Sequence, residues 1–221
     1  MGGALEEVSV KRALTIALLA TLLGILLFGL TDLFPPAEVR PWAEMARAYG
    51  AGNGVASIVL GSRLYDTLLE VLVFALAMVG VRYTLKPLGK WREPVVPERG
   101  VVREMADVLL PVIIVFAVYL AASGHLGPGG GFPAGAIAGS GLLLLAMAKG
   151  IERLSRELHE GTLEPLEYGT IAVLLVLGCL SIPLNHRGSG LLVVFNLLIG
   201  IEVTIGAWVV LHYFASHRGE I

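Results

Sequence analysis

Six long apolar runs constrain this chain more than any other feature; they fall at roughly 13–31, 65–85, 105–123, 132–148, 168–185 and 191–214. A helix needs about 20 predominantly apolar residues to cross the hydrocarbon core of a bilayer, and each run meets or nearly meets that length. The expected fold is therefore all-α: a polytopic integral membrane protein of about six transmembrane helices. Composition agrees, with 56% hydrophobic and only 15% charged residues, where a soluble domain carries about 25% charged residues. The first run follows Lys11 and Arg12 and so resembles a signal peptide. No small-x-small cleavage site precedes Asp32-Leu33-Phe34-Pro35-Pro36, and the run is long, so it is expected to stay as a helix.

Other classes are disfavoured. A net charge of −2 gives no case for nucleic acid. The single cysteine, Cys179, lies within an apolar run, which leaves no disulfide inside the chain and no cysteine-based metal or iron–sulfur centre. Its expected role is packing.

Basic residues in short loops set orientation. With six spans, one side collects Lys11, Arg12, Arg82, Lys86, Lys90, Arg92, Arg99, Arg103, Lys149, Arg153, Arg156 and Arg218. The other side holds Arg40, Arg47, Arg63 and Arg187, so the 16 basic residues divide 12 to 4. Both termini are expected in the cytoplasm, with the chain a multi-pass protein of the plasma membrane.

Residues 86–104 (KPLGKWREPVVPERGVVRE) are polar and basic and contain three prolines, which lack the helical donor. They read as a cytoplasmic linker between a two-helix segment, 1–85, and a four-helix segment, 105–221. In the outer loop, Pro41 suits a first helical turn and Gly50 a C-cap. Residues 41–49 are therefore expected to form a short interfacial helix. From Gly54 the 3–4 spacing of Val55, Ile58, Val59 and Ser62 suggests that the second span starts early.

Charged groups within membrane spans are costly and default to functional candidates. Arg63, Asp66 and Glu70 share one face of the second span by spacings of three and four, with Thr67 beside them. Either Glu70 alone is embedded, the group is a structural salt bridge, or the carboxylates belong to an ion path. Glu202, near the middle of the last run, has no partner in its own helix and is a second candidate for proton or ion traffic. Asp107 and Glu167 lie near run ends and are expected to be interfacial. The turn Gly124-His125-Leu126-Gly127-Pro128-Gly129-Gly130-Gly131-Phe132 has five glycines in the eight residues 124–131. It lacks the Lys-Ser/Thr ending of a phosphate loop. Its bare backbone allows a close approach to a neighbour or to an ion path; a tight hairpin in which only glycine fits is the plainer reading. His125 is expected to be a hydrogen-bonded anchor. Gly135-x-x-x-Gly139 suits close helix packing.

The stretch Leu110–Gly141 (LPVIIVFAVYLAASGHLGPGGGFPAGAIAGSG) resembles the signature of the B subunit of Mrp-type multisubunit sodium/proton antiporters, the MnhB domain. The shared elements are the Leu-Pro opening, Gly124-His125 and the Pro128-Gly129-Gly130-Gly131-Phe132 core. Phe195-Asn196-Leu197 and Gly200-Ile201-Glu202-Val203 look like that family's last helix, so Asn196 joins the supporting residues. The segment 62–80, with Tyr65-Asp66-Thr67-Leu68-x-Glu70, looks like the E subunit of archaeal membrane-bound hydrogenase and the C-terminal end of the large Mrp A subunit.

The resemblance implies a fusion of E-like and B-type subunits that serves a sodium-translocation module. It implies Na+ and H+ as transported ions, with no cofactor or metal held by this chain. Its partners would be other Mrp-type membrane subunits and a redox module, with the catalytic centres in other chains. Among redox partners, a sulfane sulfur reductase is favoured over a hydrogenase or a formate hydrogenlyase. The rivals are a stand-alone secondary transporter, which would show repeats or paired broken helices, and a structural scaffold. A scaffold needs no carboxylate at midplane.

Overall fold

A computed structural model describes Ala20 and residues 42–86, 100–181 and 188–216. Apart from Ala20, the first expected span, 13–31, lies outside the described residues, as do 87–99 and Arg218. The described residues from 42 onward belong to one compact unit, Pro41–Ile221.

All regular elements among the described residues are helical. In chain order they are α1 (Trp42–Ala48), α2 (Gly54–Ser57), a π-helical turn (Ile58–Ser62), α3 (Leu64–Leu85) and α4 (Gly100–Ser123). Then follow α5 (Gly131–Lys149), α6 (Ile151–Glu157), α7 (Glu160–Ser181) and α8 (Ser189–Ser216). Five stretches are long and apolar enough to cross a membrane: Leu64–Leu85, Arg103–Ser123, Gly131–Lys149, Gly161–Ser181 and Ser189–Phe214. Four match the apolar runs that follow residue 60 to within a few residues, while Gly161–Ser181 begins well before the run expected at 168–185.

The short elements come from local chemistry. The interfacial helix expected at 41–49 is α1, and Gly50 ends it at φ +61, where Ala51 N–H bonds to the Ala46 carbonyl at 2.9 Å. Asn53 caps α2 by accepting from Val55 N–H at 3.0 Å. The helix then widens over Ile58–Ser62, where Arg63 N–H reaches back five residues to the Ile58 carbonyl at 2.8 Å. The second span thus begins early, as expected, but as two stacked pieces rather than one rod. The polar stretch 86–104 also gives way sooner than its composition implies, because α4 is already helical at Gly100.

The core is organised around α8. It runs 28 residues, about 42 Å at the usual helical rise, and packs against α3, α4, α5 and α7. Its contacts bury Leu192, Phe195, Ile199, Ile205, Trp208 and Val209, while Val194, Ile201 and Phe214 stay exposed, as suits a helix that also meets lipid. The closest packing is between α5 and α8. A Cβ on Gly135 would stand 2.5 Å from the Val203 Cβ, and one on Gly139 2.5 Å from the Ala207 Cβ. The expected Gly-x-x-x-Gly face therefore meets α8 directly.

The bundle has two distinct ends. Asn53, the 124–130 turn and Ser189 share one end, since Asn53 bonds to the turn and Gly50 lies beside Ser189. Lys86, Asp107, Lys149 and α6 mark the other, where Lys149 Nζ pairs with Asp107 Oδ1 at 2.5 Å. The Asp107 side chain is 49% exposed.

A buried charge cluster and the glycine turn as candidate functional site

Arg82 and Glu167 form the least expected feature of the bundle. Arg82 sits in the last turn of α3 and Glu167 in the third turn of α7. The two helices pack together, and Arg82 Nη2 donates to Glu167 Oε2. Glu167 is 0% exposed and Arg82 is 6% exposed. The place of Glu167 near a run end suggests an interfacial group; the side chain is buried within the bundle. The helix carrying it starts at Glu160, seven residues before it, rather than at 168. Burying two charges costs several kcal/mol per ion unless each is paired, and here each supplies the other.

Glu202 on α8 is a third buried ionisable side chain. It is also 0% exposed, and neither carboxylate oxygen has a hydrogen-bond partner among the described residues. Glu167 Oε1 likewise has no hydrogen-bond partner among the described residues. An apolar cluster of Ala75, Met78, Leu85, Ile205, Val209 and Tyr213 spans α3 and α8 beside them, with Leu163 and Ile171 of α7 packed against it. Among the described residues no group of three or more His, Cys, Asp or Glu side chains is arranged to hold a metal ion.

The residues singled out in the second span separate. Arg63, at the junction of the π turn and α3, donates through Nε to Asp66 Oδ2 at 2.6 Å. The side chains of this pair are 69% and 57% exposed. Thr67 turns the other way: it is buried, and its hydroxyl donates to the Val59 carbonyl at 2.7 Å, bridging the widened turn. Glu70 is exposed on the outward surface of α3, with exposed Tyr65, Leu69 and Val73 about it.

The glycine turn is held by asparagines on both sides. Asn196, buried on α8, accepts from Gly131 N–H at 2.8 Å. It thereby caps the start of α5 from another helix, since Gly130 has no side chain for the task. Gly129 and Gly130 adopt φ +156 and +125, conformations that favour glycine. A Cβ on Gly131 would come within 2.6 Å of the Asn196 carbonyl oxygen and the Ile199 Cβ. Gly124 closes on Gly130, while Pro128 at the tip is exposed. From the other side Asn53 Nδ2 donates to the carbonyls of Gly124 at 3.0 Å and Gly127 at 2.8 Å. His125 accepts the Asn53 N–H on its own carbonyl at 3.0 Å, and its Nδ1 lies 3.0 Å from the Ala122 carbonyl. The turn is thus a close-packed joint, with His125 as an anchor.

Residues 101–209 match the MnhB family profile, described as a domain related to the MnhB subunit of Na+/H+ antiporter. No curated protein matches the chain. Among solved structures, the chain is similar to one from the membrane-bound sulfane sulfur reductase, an archaeal respiratory membrane complex. The TM-score is 0.70 at 25% sequence identity, covering 95% of this chain and 100% of that one. The likeness therefore extends through the described part of the N-terminal segment as well as the MnhB-like domain.

Proposed function

With an MnhB-like domain over residues 101–209 as its premise, we propose that this chain is a non-catalytic membrane subunit of a multisubunit Mrp-type sodium/proton antiporter module, and that it takes part in Na+/H+ translocation. The observation that carries the reading is Glu202: a carboxylate on the central helix, 0% exposed, with no hydrogen-bond partner among the described residues. A midplane acid costs free energy, and a packing role alone gives no return for it.

The parent assembly is a redox-driven respiratory complex, of the sulfane sulfur reductase type rather than a hydrogenase or formate hydrogenlyase. Support comes from the structural likeness over 95% of the chain. The N-terminal part is an E-like subunit fused to the B-type one. Glu70, with Asp66 as its neighbour one turn away, is a further member of the ion path. It faces outward, which suits a path along the border with another subunit, since a carboxylate left in lipid is costly. The basic end of the bundle is the cytoplasmic one, in the plasma membrane.

The test is to purify the complex through a tag on this chain and reconstitute it. Other Mrp-type subunits and a redox module should co-purify, and electron flow should drive sodium/proton exchange. Recovery of the chain alone, or of a complex without sodium-dependent activity, contradicts the proposal.

A further inference from the structure

A pocket of about 540 Å³ opens where α3 ends and α7 begins, lined by Val79, Arg82, Tyr83, Lys86, Glu164 and Tyr168. That size falls within the range of small-molecule sites. Its lining combines three kinds of group. Arg82 and Lys86 supply two cations, and Arg82 is fixed in place by its pairing with buried Glu167. Glu164 supplies one carboxylate, whose Oε1 accepts from the Tyr168 hydroxyl at 3.4 Å. Val79 and Tyr83 continue the wall onto the outer surface of α3, where Leu76, Val79 and Tyr83 form an exposed stripe at spacings of three and four.

The depth of the pocket is that of a lipid headgroup. Lys86 directly follows the span Leu64–Leu85, and Glu164 lies in the first turn of the span Gly161–Ser181. Both helices therefore pass from apolar to polar chain at this level. Tyrosine is enriched at such a boundary, and basic pockets between membrane helices hold anionic headgroups.

We propose that the pocket is a binding site for an anionic phospholipid, with the headgroup phosphate at Lys86 and Arg82 and an acyl chain along Val79 and Leu76. The lining has one more cation than carboxylate, which favours a negatively charged ligand. The ammonium of a zwitterionic headgroup would be repelled by Arg82 and Lys86. A hydroxylated headgroup has no such charge, and its hydroxyl can donate to the Glu164 carboxylate. A soluble anion would satisfy the two cations and leave the apolar stripe beside them without an occupant. This inference needs only the membrane setting and goes beyond the translocation reading without resting on it.

The test uses the purified complex in vesicles of equal parts phosphatidylglycerol and phosphatidylcholine. Tyr83, which is 85% exposed, is replaced by the photoreactive p-benzoylphenylalanine, and adducts formed under light are identified by mass spectrometry. The probe should capture phosphatidylglycerol over phosphatidylcholine by about fivefold or more, since one cation near the surface contributes about fivefold. Lys86→Gln should remove most of that preference. Arg156→Gln, at the same end of the bundle but outside the pocket, should leave it intact, and an excess of inorganic phosphate should not displace the lipid. As a second measurement without the probe, wild-type complex moved into detergent should retain phosphatidylglycerol that the Lys86→Gln complex loses. Capture in proportion to the vesicle composition overturns the site, and so does an adduct to another subunit, which would put protein in the pocket. Displacement by inorganic phosphate overturns the lipid as occupant. Equal effects of Lys86→Gln and Arg156→Gln, or equal retention of lipid by wild type and Lys86→Gln, reduce the preference to general surface charge and overturn the proposal.

Discussion

Asn196 on α8 caps the first turn of α5 by accepting a hydrogen bond from Gly131 N–H at 2.8 Å. The contact ties the glycine turn to the same helix that carries Glu202, six residues further along. Because the side chain is buried, its loss strands a donor as well as removing a bond. Asn196→Ala is expected to destabilise the complex by about 1–2 kcal/mol, read as a lower midpoint of thermal unfolding in detergent. Gly131→Ala should be at least as damaging, since its Cβ would overlap Ile199 and the Asn196 carbonyl. A wild-type midpoint for both variants means that the joint is not a structural one.

Asn53 makes the reciprocal connection, from the N-terminal segment to the carbonyls of Gly124 and Gly127. Asn53→Ala removes both bonds and the cap of α2. The prediction is faster amide hydrogen exchange over both 50–58 and 124–130, with α8 unchanged. Exchange that rises in only one of the two segments contradicts the coupling.

Arg82 and Glu167 predict an asymmetry between single and double variants. Arg82→Leu leaves a carboxylate buried without its cation and should cost on the order of 3–5 kcal/mol. The double variant Arg82→Leu, Glu167→Leu should recover most of that stability, because replacing both partners with apolar groups is often neutral. A double variant no more stable than the single one shows that the pair is not the compensation for its own burial.

The architecture was largely legible in the chain, because continuous apolar runs and helix-ending signals are local. Thus α1 and four of the five described spans fall where Pro41, Gly50 and the apolar runs place them, and the fifth starts earlier than its run. The charge cluster was not legible, because it is made by tertiary pairing. Arg82 counts as a loop cation when basic residues are tallied, although it lies inside the run 65–85, where a cation calls for a partner. Glu167 reads as a helix-end group because Glu160, Glu164 and Pro165 make the segment before 168 look like loop. The helix carries Pro165 within it all the same. Asn53 was missed too, although an asparagine just ahead of an apolar helical run is an N-cap signal. Spacing did place Asp66 and Glu70 on one face, but which way that face points is not a property of spacing. Thr67, expected beside them, turns inward to Val59.

The outward position of Glu70 carries its own prediction. Glu70→Gln should abolish sodium/proton exchange while the complex still assembles, because the amide keeps the shape and loses the charge. Asp66→Asn should be intermediate, since Asp66 is already engaged by Arg63. Wild-type sodium transport with Glu70→Gln removes Glu70 from the ion path.

The central claim is that the carboxylate of Glu202 is used. The most direct measurement is redox-driven sodium uptake into vesicles containing purified complex with Glu202→Gln, beside wild type and Glu202→Asp. Every variant is first matched for assembly and for turnover at the redox site. The account predicts that Glu202→Gln takes up no sodium above background while Glu202→Asp retains a measurable part. Wild-type uptake by Glu202→Gln contradicts the account and leaves the chain as a scaffold of the membrane arm.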